Sequence, residues 1–200
     1  MSGNLESSVR CFLGLALPDA VRDALARFTE RLRDTRGRVT WVRRDNFHLT
    51  IQFFGDVTAH RLKRICAASD MAASDVSPFE FMVAGAGFFG SLRSPRIAWA
   101  GVSGPPPGLL QLQLSVAQQL AKLGFAGEKR AYRPHITLGR IRDSRQAIAL
   151  TSELASANNT TFGTVPVDRL VVLRSHPEPS GVRYSILHES EMKGTEFDGG

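Results

Sequence analysis

Phe47-His48-Leu49-Thr50-Ile51-Gln52-Phe53-Phe54-Gly55 is the stretch whose reading decides the fold, because Pro134-His135-Ile136-Thr137-Leu138-Gly139-Arg140 repeats its pattern 87 residues later. Both alternate polar and apolar residues, the period of a strand with one buried face. His48 and Thr50 therefore project together while Leu49 and Ile51 enter an apolar layer. His135 and Thr137 share a face in the same way, over Ile136 and Leu138. With five histidines and eleven threonines in 200 residues, about 0.3 His-x-Thr matches arise by chance, so two with matched apolar alternation are a signal. One such histidine alone is as readily a sheet-surface residue bonded to nearby backbone. The pair predicts two related lobes facing one another, with two imidazoles and two hydroxyls converging on one cleft.

Outward from the first copy, Gly55-Asp56 reads as the strand's end and Thr58 as the N-cap of a helix carrying Leu62, Ile65 and Cys66. Upstream, Cys11 to Leu17 reads as a strand. Pro18-Asp19 opens a helix with Val21, Leu25, Phe28 and Leu32 inward, and Gly37 ends it. Val39 to Val42 is a short strand, followed by a turn from Arg43 to Asn46. Downstream, Phe79 to Ala84, Phe88-Phe89 and Arg96 to Val102 are strand segments, with turns at Gly85 to Gly87 and Ser91 to Pro95. Pro105-Pro106-Pro107 leads into a helix with Leu109, Leu112, Val116, Leu120 and Leu123 on its apolar stripe and Gly124 at its end. Pro134 to Ile141 is a strand. A helix follows from Ser144 to Ala157 with Ala147, Ile148, Thr151 and Leu154 inward. Leu170 to Arg174 and Arg183 to Leu187 are the last strands. Several connections are too short for parallel crossovers. The fold class is therefore α+β: two pseudo-symmetric lobes of mainly antiparallel sheet with outer helices and the active cleft between them. Residues 1–188 are expected to form a single two-lobed domain, and 189–200 a polar, mobile tail.

The composition is that of an ordinary globular chain, 42% hydrophobic and 22% charged, long enough to bury a core without metals or disulfides. No run approaches eighteen apolar residues, so no membrane span is expected. The N-terminal apolar run lacks a signal peptide's flanks, so a cytoplasmic location and two reduced cysteines, Cys11 and Cys66, are expected. The formal charge is +6, and among the 25 basic residues lysine stands only at 63, 122, 129 and 193. Such an arginine bias fits a phosphate-bearing partner. It fits a genome's codon preference equally well.

Two imidazoles and two hydroxyls suit in-line displacement at phosphorus. Opening a cyclic phosphate needs a base to activate water and an acid to protonate the departing ribose oxygen. Imidazole titrates near neutrality, so one neutral and one protonated ring can coexist. Each proton transfer is worth about 10²–10⁴-fold in rate. The threonine hydroxyls can donate to non-bridging oxygens as their charge grows. Arg140 lies at an odd offset from Thr137 and needs a bend at Gly139 to reach the same face.

With these motifs in place, the chain resembles the bacterial RNA 2′,3′-cyclic phosphodiesterases, also described as 2′-5′ RNA ligase-like, of the two-histidine (HxTx) phosphoesterase superfamily. The resemblance rests on both histidine motifs in their surroundings, Asn46 to Gly55 and Tyr132 to Arg140, and on four supporting segments: Phe12 to Pro18, Trp41-Val42, Arg96 to Val102, and Gly181 to Tyr184. It implies metal-free, cofactor-free hydrolysis of a terminal 2′,3′-cyclic phosphate to a 2′-phosphomonoester. His48 would be the proton donor and His135 the proton acceptor, with Thr50, Thr137 and Arg140 holding the phosphate. Phe53 would offer an aromatic face to a base or else belong to the core. The implied partners are RNA ends or small cyclic nucleotides, with no obligatory protein partner and a monomeric state. Two alternatives belong beside it: 2′-5′ ligation as the reverse reaction, and a non-catalytic module that binds RNA ends. The chain departs from the family at His176-Pro177-Glu178-Pro179-Ser180, expected as a loop bordering the substrate mouth.

Other residues carry less. His60, His176 and His188 read as surface or strand-end residues and lack the spacing of a zinc site. Gly85-Ala86-Gly87 is not part of a nucleotide-binding glycine pattern. No Gly-x-Ser-x-Gly elbow is present, which disfavours an acyl hydrolase. Trp41 and Trp99 read as packing residues that also suit the flank of a cleft.

Overall fold

A computed structural model describes residues 8–35, 38–125, 131–143, 147–179 and 181–194. Gly37, Ser144, Ser180 and the end of the expected tail, 195–200, lie outside the described residues. The elements in chain order are β1 (Val9–Ala16), α1 (Asp19–Arg33), β2 (Val39–Trp41), β3 (His48–Val57), α2 (Ala59–Ser74), β4 (Phe79–Ser91), β5 (Ser94–Ser103), α3 (Pro107–Lys122), β6 (His135–Ile141), α4 (Ile148–Ser156), β7 (Thr161–Val167), β8 (Arg169–Glu178) and β9 (Gly181–Glu191).

The described strands form one sheet in the order β7-β4-β5-β6-β3-β1-β8-β9, with β2 added beside β6, and every pairing is antiparallel. A pseudo-two-fold axis passes between β3 and β6, where the ladder is a single pair, Leu49 opposite Ile136. About that axis β1 matches β5, and β1-α1-β3-α2 matches β5-α3-β6-α4. The strands that follow then change sides: β4 leaves α2 to pair with β5, and β8 lies against β1.

Helix formation follows from stripes that the sheet can bury. Val21, Leu25, Phe28 and Leu32 of α1 enter the main core, as do Leu109, Leu112, Val116 and Leu120 of α3. Thr58 caps α2 by accepting a hydrogen bond from the Arg61 amide at 3.4 Å. Gly124 follows α3 at φ +74°, the left-handed conformation of a glycine stop. All four helices pack on one face, with Leu49 and Ile136 fully buried at its centre. The opposite face carries a smaller apolar cluster, Phe12, Val171 and Leu173 with Tyr184 against it, and this face holds the cleft.

Several expectations are corrected. β3 does not end at Gly55-Asp56 but runs through to Val57, with Gly55 at φ +70° accommodated by a register shift. Gly85 to Gly87 is not a turn, because β4 continues through it as a bulge against β5. In α4 Leu150 faces inward and Ile148 is exposed. His176 to Glu178 is not loop: β8 extends to Glu178 and forms a tight hairpin with β9. β7 was not expected, although Phe162, Val165 and Val167 are buried. The first part of the expected tail is strand: β9 reaches Glu191, Met192 is buried, and the Gly194 amide bonds the Val76 carbonyl.

Candidate active site

The single Leu49–Ile136 pair sets the geometry. Its antiparallel register, continued one residue each way, puts His48 opposite Thr137 and Thr50 opposite His135. The four polar residues of the two motifs thus form a square around the pseudo-two-fold axis.

Each imidazole is fixed by the same local contact. His48 Nδ1 lies 2.7 Å from the Asn46 carbonyl oxygen, and His135 Nδ1 lies 2.7 Å from the Arg133 carbonyl oxygen. A carbonyl only accepts, so both rings carry their neutral-state proton on Nδ1 and keep Nε2 for other partners. His48 Nε2 sits 3.0 Å from Thr50 Oγ1, which donates to it when the ring is neutral. Asn46 is itself held by its side-chain amide, which donates to the Val182 carbonyl of β9. Tyr132 donates its hydroxyl to the Thr50 carbonyl at 3.1 Å, tying the segment before β6 to β3.

Aromatic rings surround both histidines. His48 packs against Phe12 at 4.6 Å and edge-on to Tyr184 at 5.2 Å, and His135 stands edge-on to Phe89 at 4.8 Å. Gly14 makes room beneath His48: a Cβ there would lie 2.9 Å from the Leu49 carbonyl oxygen and 3.6 Å from the His48 ring. Burial in this setting pushes the His48 pKa down from 6.5 to about 4, with the nearby His135 adding to the fall and the Asn46 carbonyl opposing it. Burial lowers His135 as well, and Arg133 adds to the fall against the pull of its own carbonyl. Both shifts favour the neutral ring.

Beside this square lies a cavity of about 500 Å³. His48, Thr50, Thr137, Arg140 and Phe53 line it together with Arg10, Trp41 and Tyr184. His135 is not among its lining residues and stands across the strand pair from Thr50.

Arg140 and Phe53 reach the cavity by the same device. Each stands three residues after its motif threonine, an offset that regular alternation would send to the other face. In β6 the partners step from Ala98–Gly139 to Trp99–Thr137, skipping Leu138. In β3 they step from Phe12–Phe53 through Leu13–Gln52 to Gly14–Thr50, skipping Ile51. Each bulge reverses the alternation beyond it, so Arg140 rejoins Thr137 and Phe53 rejoins Thr50. The bend expected at Gly139 therefore lies one residue earlier. Gly139 serves β2 instead, since a Cβ there would come within 2.6 Å of Val39 Cγ1 and 2.9 Å of Trp41 Cε3. Phe53 is 62% exposed and is not part of the core.

Sequence reasoning gave Arg10, Asn46, Tyr132 and Tyr184 no role in the site; strand pairing brings in Arg10 and Tyr184, whereas Asn46 meets His48 from two residues upstream and Tyr132 bonds the Thr50 carbonyl. Trp41 does flank the cleft, and Trp99 packs against Phe89 at 5.5 Å. Two of the other three histidines are tied elsewhere: His176 Nε2 meets Ser185 Oγ at 2.8 Å, and His188 Nε2 meets Asp70 Oδ1 at 2.7 Å. Among the described residues no three His, Cys, Asp or Glu side chains group as metal ligands. No helix of the described residues is long and apolar enough to cross a membrane.

Comparison with known proteins shows the family and the fold. The family model described as LigT like Phosphoesterase matches twice, over residues 15–99 and 101–184, once for each half. An RNA 2′,3′-cyclic phosphodiesterase of Methanothermobacter thermautotrophicus is 33% identical over 179 residues, covering 90% of this chain and 96% of that protein. A protein of the same name from Escherichia coli K12 is 34% identical over 143 residues, covering 70% and 76%. Among solved structures, TT0787 of Thermus thermophilus superposes with a TM-score of 0.77 at 26% identity, covering 92% of this chain and 98% of that one. E. coli LigT complexed with 3′-AMP gives 0.71 at 27% identity, covering 93% and 99%.

Proposed function

The chain belongs to the LigT-like phosphoesterase family and opens 2′,3′-cyclic phosphates at RNA ends, and we propose that it does so without a metal, through proton transfer by His48 and His135. The observation that carries this reading is the matched pair of imidazoles, each held through Nδ1 by a carbonyl two residues upstream on strands that meet at one ladder pair. Two rings fixed in the same tautomer about one axis suit attack and departure on opposite sides of a phosphorus atom.

The position of the cavity supports a division of their roles. It opens on the His48 side, so the nucleotide body and its departing ribose oxygen occupy that side. His48 is then the proton donor and His135 the base that takes a proton from water. Attack forms the bond from water oxygen to phosphorus, and the bond from phosphorus to ribose O3′ breaks. The proton lost by water ends on His135 and that of His48 ends on O3′, leaving a 2′-phosphomonoester. Thr50, Thr137 and Arg140 donate to the phosphate oxygens, whose charge grows in the transition state. Phe53 offers its exposed face to a base.

His48 enters this cycle neutral, and the negative charge of the bound phosphate favours its protonated form. The same burial that disfavours the imidazolium makes it a stronger acid toward the poorly leaving ribose alkoxide.

The test is hydrolysis of a 2′,3′-cyclic mononucleotide by chelator-treated protein, with the product's phosphate position read by ³¹P NMR. Undiminished turnover to the 2′-phosphate is the expected result, with each of His48→Ala and His135→Ala lowering kcat at least about a hundredfold. Activity abolished by the chelator would overturn the metal-free mechanism. Histidine variants with unaltered turnover would overturn the acid–base pair.

A further inference from the structure

Resting on the reading above, we propose that Arg10 and Ser175 form a second phosphate site, so that the preferred substrate is an RNA of two or more nucleotides and not a free cyclic mononucleotide. The inference starts from β1. Phe12, Gly14 and Ala16 stand opposite Phe53, Thr50 and His48, so alternate residues of β1 follow the cleft face. Arg10 is the next residue on that face. Cys11 pairs with Arg174, which sets Arg10 opposite Ser175, and Ser175 pairs in turn with Tyr184. Arg10, Ser175 and Tyr184 thus form a row across β1, β8 and β9, and all three line the cavity that also holds His48, Thr137 and Arg140.

The spacing suits a polynucleotide. Four residues of strand separate Gly14, level with Thr50, from Arg10, about 13 Å at the rise of an extended chain. An arginine side chain reaching back along the cleft closes part of that distance, leaving a gap of the size of one nucleotide unit. The floor between the two sites is aromatic, with Phe12 buried beneath and Phe53 exposed above, their rings 5.5 Å apart. That is a surface for a sugar or a base, between two places that suit phosphate. Tyr184 feels both cations: burial raises its phenol pKa, and Arg140 and Arg10 together oppose the rise.

The guanidinium of Arg10 has a loose protein partner, Asp56, at 3.6 Å, with both side chains more than 60% exposed. Asp56 does not line the cavity. A pair so exposed is worth little, and a phosphodiester can displace it. Arg43, also on the cavity wall, instead meets Glu178, which Arg183 also holds, and so belongs to a strap across the hairpin mouth.

The experiment compares a 2′,3′-cyclic mononucleotide with a dinucleotide bearing the same cyclic end, for the wild type, Arg10→Gln and Asp56→Asn. The wild type is expected to favour the dinucleotide in kcat/KM by about tenfold or more, the lower end of what a charge-assisted hydrogen bond supplies. Arg10→Gln should narrow that ratio toward one, and Asp56→Asn should widen it. In a binding arm independent of turnover, the dinucleotide's 2′-phosphate product is compared with one whose internal linkage is an uncharged methylphosphonate. That replacement should weaken binding to the wild type and not to Arg10→Gln. The slope of log affinity against log salt should also fall by about 0.7 in the arginine variant. Equal kcat/KM for both substrates, or a methylphosphonate penalty that survives in Arg10→Gln, overturns the second site. A protein that hydrolyses neither substrate yet shows the charge dependence in binding would instead sink the catalytic reading and leave this site standing.

Discussion

Acid should destabilise this fold through His48 in a way that one substitution can isolate. Burial holds the His48 imidazole at a pKa of about 4, against 6.5 in an exposed chain. Below pH 6.5 the unfolded chain binds a proton that the native state refuses until about pH 4. Stability contributed by the neutral ring is therefore full above pH 6.5 and is lost as pH falls across that window. Each pH unit within it is worth about 1.4 kcal/mol, so the loss by pH 4 amounts to about 3 kcal/mol. That is a large part of the 5–15 kcal/mol typical of a domain. His48→Gln removes the titration while keeping an amide donor for the Asn46 carbonyl. Most other titrating groups are common to both proteins and cancel, and His135, whose charge helps to lower the His48 pKa, is taken out by repeating the comparison in a His135→Gln background. Urea unfolding followed by the fluorescence of Trp41 and Trp99 at pH 7, 5.5 and 4 gives the two free energies. Between pH 7 and 4 the wild type should lose about 3 kcal/mol more than the variant. Parallel pH dependences would refute the claim that the ring is desolvated in the native cleft.

The same desolvation bears on rate: because both free-enzyme imidazoles lie below 6.5, kcat/KM should peak below that pH and decline above it, while the anionic bound phosphate moves the kcat profile to higher pH. Coincident profiles would show that the phosphate does not interact with the rings. Thr50→Val removes the hydroxyl 3.0 Å from His48 Nε2 and should lower kcat about a hundredfold with little change in KM; an unchanged kcat would place Thr50 outside the chemistry. Gly139→Ala forces a methyl against Val39 and Trp41 and should cost about 1–3 kcal/mol in thermal unfolding. A melting curve identical to the wild type's would mean that β2 yields freely.

What could be read from the sequence divides along a physical line. Alternation within one strand is local, so the shared face of His48 and Thr50, and of His135 and Thr137, followed directly from the residues. Helix stripes were equally legible, as α1 and α3 show. Register between strands is a property of two segments, and there the reading fell short. Phe53 and Arg140 sit at odd offsets, and only the skipped residues Ile51 and Leu138 in the ladders return them to the cleft. β7 escaped notice because Gly163 and Pro166 interrupt its apolar alternation, which an edge strand tolerates. The sheet absorbed Gly55 and Gly85 as irregularities where a turn was expected. Arg10 carried no local mark, since its place in the cleft comes from lying two residues beyond Phe12 on a strand paired on both sides.

The change of sides by β4 and β8 has a consequence for how the enzyme tolerates being cut or recombined. Neither half, excised on its own, would retain a complete set of neighbours, because each has lent a strand to the other's ladder and would expose unpaired backbone where that strand had been. Chimaeras joined near residue 100 should therefore demand co-inheritance of both partners of each exchanged pair.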